Sequence, residues 1–416
     1  MNRRNFLKNL AAASAATASS SMCLNSPAFA AGSDRHYWVF VTANGGWDTT
    51  SMFDPKGHEV KSFKGSVNRY SQNDIRQAGN IRYAPVPDGI NNQDYIKTFT
   101  EKYYRQLLVL NGVDMGTINH KTGIDIALSG SDSPAYPATA AMIATLNASY
   151  QPMPYINAGG SSKTAGLVAA SALPREQVFS DLRNKDEWTA KNNRELLNQL
   201  KLDKLQRRAS NSVTQRDAQT INQMLGARQS GSDVSDFIDR LPFSNNITRY
   251  QEYSEIIAAG FAEDISNSAQ IQVGGFDTHS DSDKGQYGRI DELLSTVDHL
   301  WQELTRHNIA QYTTIVMASD MGRTPGYNKS QGKDHWPISS MLFMGKGITG
   351  NRVIGATNDE LKAQKVNPAS LELDGSGITL TPASIHQEIR KQNLLDRSLL
   401  DDKFPLGGAE SLNLFT

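Results

Sequence analysis

Short apolar runs that end in glycine and aspartate constrain this chain most. Tyr37-Trp38-Val39-Phe40-Val41-Thr42 is almost continuously apolar and runs into Asn44-Gly45-Gly46-Trp47-Asp48. Leu107-Leu108-Val109-Leu110 runs into Asn111-Gly112-Val113-Asp114, and Ile271-Gln272-Val273 into Gly274-Gly275-Phe276-Asp277-Thr278-His279. Thr313-Thr314-Ile315-Val316-Met317-Ala318 runs into Ser319-Asp320, and Ser340-Met341-Leu342-Phe343-Met344 makes a fifth run. An unbroken apolar run of this length is a strand covered on both faces, the habit of parallel sheets. The spacing between the runs is helical. Asn119-His120 starts a helix toward Leu128, Ala138 to Leu146 and Tyr253 to Asp264 read as helices, and Arg289 to Arg306 carries Leu293, Leu294, Val297, Leu300 and Leu304 on one face. Strands alternating with helices predict an α/β fold: a doubly wound, mainly parallel sheet flanked by helices.

At 416 residues the chain is long enough for several small domains or one large α/β domain with insertions. The expected organisation is a signal peptide over 1–30, an α/β domain over 31–416, and a helical insertion over about 175–245, where Lys, Arg, Gln, Asn and Glu dominate. Arg3-Arg4-Asn5-Phe6-Leu7-Lys8 precedes a short Ala-rich stretch, and Ala28-Phe29-Ala30 offers small residues for cleavage. These features predict a twin-arginine signal, engagement of the twin-arginine translocation machinery and a periplasmic or secreted protein. The apolar stretch is too short to span a bilayer, so no stable membrane insertion is expected. Charge is balanced, 42 Lys and Arg against 43 Asp and Glu, which gives no basic footprint for nucleic acid. Cleavage would remove Cys23, the one cysteine, so any metal must be held by oxygen and imidazole.

In open α/β sheets, ligands bind beyond the carboxyl ends of the strands. Asp48, Asp277 and Asp320 are expected there, with His279 and the loop Gly332-Lys333-Asp334-His335-Trp336, while His120 follows the second strand. Carboxylates crowded at low dielectric repel unless a cation or protons neutralise them. Oxygen and imidazole together suit one or two divalent ions such as Zn, Mn, Mg or Ca. A capping aspartate or a salt-bridged Asp277–His279 pair is the plainer reading of each motif alone. Arg323 follows Asp320 in a loop, where it grips an anion or pairs with Asp334. His36, His58, His299, His307 and His386 are expected outside any site.

The signal Arg3-Arg4-Asn5-Phe6-Leu7-Lys8, Asp320-Met321-Gly322-Arg323-Thr324-Pro325, Gly332-Lys333-Asp334-His335-Trp336-Pro337 and the stretch from Gly345 to Thr357 resemble the exported bacterial family called domain of unknown function 1501. That family is similar to the alkaline phosphatase and sulfatase superfamily. The resemblance implies a two-metal site at the carboxyl edge of the sheet. Asp48 matches the first-strand metal aspartate, Asp277, His279 and His335 match the ligands of one ion, and Asp320 matches an aspartate of the other. Two departures stand out. Met321 replaces a histidine, and His120 occupies the slot of the superfamily's nucleophile, ten residues before Gly130. His120 then replaces the lost imidazole as a ligand, or acts as a nucleophile that forms phosphohistidine, or marks a site that has lost catalysis.

The leading expectation is an exported metal-dependent hydrolase that splits a small anionic phosphate or sulfate ester through a metal-activated water. Its metal residues are Asp48, His120, Asp277, His279, Asp320 and His335; Arg323 grips the anion and Asp334 orients His335 or another ligand. The rival is a non-catalytic periplasmic binding or assembly protein that reuses the fold.

Overall fold

The computed structural model describes residues 35–90, 92–148, 151–173, 203–208, 210 and 247–415. The expected signal at 1–30 and nearly all of the expected insertion at 175–245 lie outside them. Eight strands form one sheet: β1 (Tyr37–Ala43), β2 (Leu107–Asp114), β3 (Tyr155–Ala158), β4 (Ala170–Ala172), β5 (Ser268–Val273), β6 (Thr313–Ser319), β7 (Ile338–Gly345) and β8 (Arg352–Ile354). Their order is β8-β2-β7-β6-β1-β5-β3-β4. Strand β1 pairs in parallel with β6 and β5, β3 with β5 and β4, and β8 with β2. Strand β7 alone runs antiparallel to its neighbours β6 and β2. The segment between β6 and β7 contains no helix that could carry the chain back across the sheet, so the chain returns in the opposite direction.

Alternation along β1 shows why both faces are apolar. Val39, Val41 and Ala43 enter a core with α1 (Tyr95–Tyr103), α4 (Arg249–Ala262) and α5 (Ser282–Arg306). Trp38 and Phe40 enter the opposite core with α2 (His120–Ser129), α3 (Thr139–Ala144) and α6 (Pro382–Gln392). A fully buried Val or Phe among them contributes about 1.5–3 kcal/mol of transfer free energy. The doubly wound, mainly parallel sheet expected from the sequence is the sheet observed.

Register fixes where the chemistry lies. Ala43 pairs with both Ser319 and Val273, so β1, β5 and β6 end level with one another. Asp114, at the end of β2, pairs with Ile338 at the start of β7, three residues after His335. The turns after β1, β2, β5 and β6 and the loop before β7 therefore meet at one edge.

Asp298 ties α1 to α5 on the far side of this arrangement. It is buried and accepts from Lys102 Nζ, Tyr103 Oη and Tyr95 Oη, each at 2.6 Å. Burial pushes its carboxyl up, but these three donors outweigh that and hold it at about 2. A carboxyl depressed on folding adds stability above its unfolded pKa of about 3.9, and loses it as pH falls toward 2. Asp298→Asn is expected to cost about 2 kcal/mol at pH 7 in urea melts. The deficit should close between about pH 4 and pH 2; a deficit constant across that window would contradict the assignment.

Candidate metal centre

The turn after β1 is built around Asp320. Gly45 and Gly46 take φ of +116° and +80°, conformations that favour glycine. A Cβ on Gly45 would lie 2.4 Å from Asp277 N, so the turn can approach the β5 turn only without a side chain. Its amides then close on one carboxylate: Gly45 N reaches both Asp320 oxygens at 3.2 Å and Gly46 N reaches Oδ1 at 2.6 Å. Ser319 Oγ donates to Oδ1 at 3.1 Å, and Asp320 is fully buried.

Helix α2 delivers His120 to the same carboxylate. Asn119 caps the helix by accepting from Thr122 N, and His120 is its first residue. Gly123 packs so tightly on Asp320 O that a Cβ would sit 2.1 Å from it. This contact sets His120 Nδ1 2.7 Å from Asp320 Oδ2.

Three imidazoles are held in the same manner. His279 Nδ1 lies 3.2 Å from Asp334 Oδ1, and His335 Nδ1 lies 2.9 Å from Ile118 O. Carboxylates and carbonyls only accept, so each Nδ1 donates a proton outward and each ring turns its Nε2 inward. Those Nε2 atoms converge on Asp277. His279 Nε2 is 3.0 Å and His335 Nε2 3.3 Å from Oδ1, while His120 Nε2 is 3.5 Å from Oδ2. His279 Nε2 and His335 Nε2 face each other at 3.0 Å, and His120 Nε2 is buried without a hydrogen-bond partner. An Nε2 facing a carboxylate oxygen needs a proton or a cation between them, and a deprotonated Nε2 is a ligand for a divalent ion. His120, Asp277 and His335 each place a donor atom within reach of a single ion, and His279 Nε2 adjoins Asp277 and His335, a nitrogen and oxygen set that fits a divalent metal.

Asp277 is charged throughout the physiological range. Burial pushes its carboxyl up, but the hydrogen bond and charge of Arg323, with His335 and His120 beside it, hold it at about 2. Asp334 is held lower still, first by its hydrogen bond to Lys64, then by Asn328.

The structure thus brings His120, Asp277, His279 and His335 together and sets Asp320 and Asp334 behind two of the imidazoles. Asp334 orients His279, whereas His335 is oriented by a backbone carbonyl. Asp48 is not part of this convergence; its carboxylate is turned to Lys333 Nζ at 2.6 Å. Nor is Arg323 an open anion clamp, because its side chain is fully buried. Nε donates to Gly46 O at 2.9 Å, Nη1 to Lys333 O at 3.0 Å, and Nη2 to Gly45 O and to Asp277 Oδ1, the latter at 2.7 Å. Arg323 clamps the β1 turn, the β5 turn and the Lys333 loop together. Met321 is buried against Gly46.

Buried Gln286 was not legible from the sequence. Its Oε1 accepts from Asp48 N, and its Nε2 reaches Gly46 O, Phe276 O and Thr278 Oγ1 at 2.8–3.1 Å, tying the β1 and β5 turns together. His386 lies between α2 and α3, bonded to Ala127 O and Thr139 Oγ1, and burial pushes it down to about 3. Glu255, His299 and Glu303 also approach one another between α4 and α5, where Glu303 pairs with Arg306.

Residues 35–373 match the model of the family described as protein of unknown function (DUF1501). The chain belongs to that family. All the residues of the centre fall within the matched span. No curated protein sequence matches the chain. Among solved structures it is similar to a protein of glycosaminoglycan metabolism from Bacteroides thetaiotaomicron, at 9% identity and a TM-score of 0.42, over 92% of this chain and 77% of that one. It is also similar to alkaline phosphatase from the Antarctic bacterium TAB5, at 12% identity and a TM-score of 0.34, over 79% and 96% of the two chains. A sulfatase from Pseudoalteromonas sp. is similar at 11% identity and a TM-score of 0.31, over 79% and 66%.

Arg323→Met tests the clamp. The substitution leaves three carbonyls and Asp277 without their donor and should cost at least about 3 kcal/mol in urea melts. An arginine that only gripped an anion at the surface would leave the melt unchanged.

Proposed function

We propose that this family member is an exported metal-dependent hydrolase that acts on a phosphate or sulfate ester. The observation that carries the reading is the convergence of three inward Nε2 atoms on an ionised Asp277, at a centre open to solvent. Side-chain exposure there runs from 24% at His335 to 48% at His279, so a substrate can reach it. His120, His279 and His335 would hold the ion through Nε2, and Asp277 through a carboxylate oxygen. A divalent ion in this place acidifies water and stabilises charge on the leaving oxygen of an ester. Three imidazoles favour Zn over Mg, Ca or Mn, which prefer oxygen-rich shells.

The protein's own residues do the positioning. Asp320 keeps the proton on His120 Nδ1 and fixes the ring, and Asp334 does the same for His279. His120 opens α2, so the positive end of that helix lies at the centre and favours an anionic group. With His120 committed to Asp320 and Asp277, water is the nucleophile in this reading.

Export through the twin-arginine machinery to the periplasm or beyond is part of the proposal and rests on residues 1–30. Among the described residues no helix is long and apolar enough to cross a membrane. The second reading, a binding or assembly protein on the same fold, is favoured by one observation: the guanidinium of Arg323 is used up within the protein.

Purified wild type is expected to carry a divalent ion that Asp277→Ala and His335→Ala lose, as read by inductively coupled plasma mass spectrometry. Asp320→Asn should weaken metal affinity about 10- to 100-fold. Hydrolysis of aryl phosphate or aryl sulfate should vanish with chelation, return with Zn or Mn, and be absent from His120→Ala. A metal-loaded wild type that turns over neither ester would favour the binding reading.

A further inference from the structure

The resemblance implies two metal ions, with Asp48 and Asp320 serving positions that the imidazole cluster does not supply. Neither carboxylate fits that role. Both oxygens of Asp320 are taken by Gly45 N, Gly46 N, Ser319 Oγ and His120 Nδ1, and none of its surface reaches solvent. Asp48 Oδ1 accepts from Thr50 N at 3.0 Å and Thr50 Oγ1 at 2.7 Å, and Oδ2 accepts from Ser51 Oγ at 3.1 Å and Lys333 Nζ at 2.6 Å.

We propose that Lys333 is the resident cation at Asp48 and that the chain holds one divalent ion where the resemblance implies two. The inference rests on the metal centre proposed above and fixes its stoichiometry. The ammonium is fully buried and meets three acceptors with its three protons: Asp48 Oδ2, Asn68 Oδ1 at 2.8 Å and Thr50 Oγ1 at 3.2 Å. Tyr327 offers its ring face to the same charge, 5.1 Å from Nζ to the centroid. A buried carboxylate is tolerable only with a counter-charge and full hydrogen bonding, and Lys333 supplies both. A divalent ion at Asp48 would have to displace an ammonium that already satisfies it.

Lys333 also positions two members of the centre. Its amide donates to Thr278 O at 3.1 Å and its carbonyl accepts from Arg323, so the loop is fastened to the β5 turn one residue before Asp334 and two before His335. Gly332 lies so close to His279 that a Cβ would stand 1.9 Å from its carbonyl carbon. The side chain of Lys333 goes inward to Asp48, while the next two residues turn to the imidazole cluster.

The test is metal stoichiometry together with a double-mutant cycle on Asp48 and Lys333. Wild type loaded with Zn or Mn should bind one ion per chain, counted by mass spectrometry and titration calorimetry. The charge-neutral pair Asp48→Asn/Lys333→Met should still bind one. Lys333→Met alone should lower Tm, and adding Asp48→Asn should recover part of that loss, because the buried charge without a partner is gone. Two ions in wild type, falling to one in Asp48→Asn, would overturn Lys333 as the resident cation and leave the imidazole centre standing. Additive effects of the two substitutions on Tm would overturn it as well. No ion in wild type would instead overturn the metal centre and with it the count of one.

Discussion

Negative charge at the carboxyl edge of the sheet is the constraint from which the rest follows. Four of the carboxylates there are each neutralised differently. Asp320 is wrapped by the amides of Gly45 and Gly46 and by His120. Asp48 is paired with a buried ammonium, Lys333. Asp334 is paired with Lys64 at the surface. Asp277 has the guanidinium of Arg323 on one side and three imidazoles on the other. At Asp277 three Nε2 atoms face one carboxylate, and in the function proposed above a metal ion would complete the electrostatics there.

The fold makes this possible through register. Three parallel strands end level, so their turns are neighbours, and the antiparallel β7 brings His335 to the same edge from the opposite direction. The glycines are part of the same device. Gly45, Gly123 and Gly332 each sit where a methyl group would strike the neighbouring turn, and each close approach brings an imidazole or a carboxylate into hydrogen-bond range. Arg323 then locks the turns by bonding to two carbonyls of the β1 turn, to the Asp277 carboxylate of the β5 turn and to the Lys333 carbonyl.

Much of this was legible in the sequence. Apolar strands ending in Gly and Asp placed the edge, and the helix beginning at Asn119 placed His120 at its first turn. The alternation that makes β1 apolar on both faces announced the two helical layers. Other features were not legible, for physical reasons. A lysine or arginine written in a polar loop looks solvated, and nothing local shows that Lys333 and Arg323 are fully buried; their partners lie 285 and 46 residues away. Asp48 looked like a ligand because its position after β1 is right, yet the identity of its counter-ion depends on a loop far along the chain. The reversed direction of β7 was equally hidden, since an apolar strand reads the same in either orientation.

X-ray absorption spectroscopy on the Zn- or Mn-loaded protein tests the central claim most directly, because it reads the atoms around the ion. Multiple scattering from three imidazoles, with one carboxylate oxygen and no second metal, is the expected spectrum. A metal–metal vector at about 3.5–4 Å, or an all-oxygen shell without imidazole scattering, would contradict it.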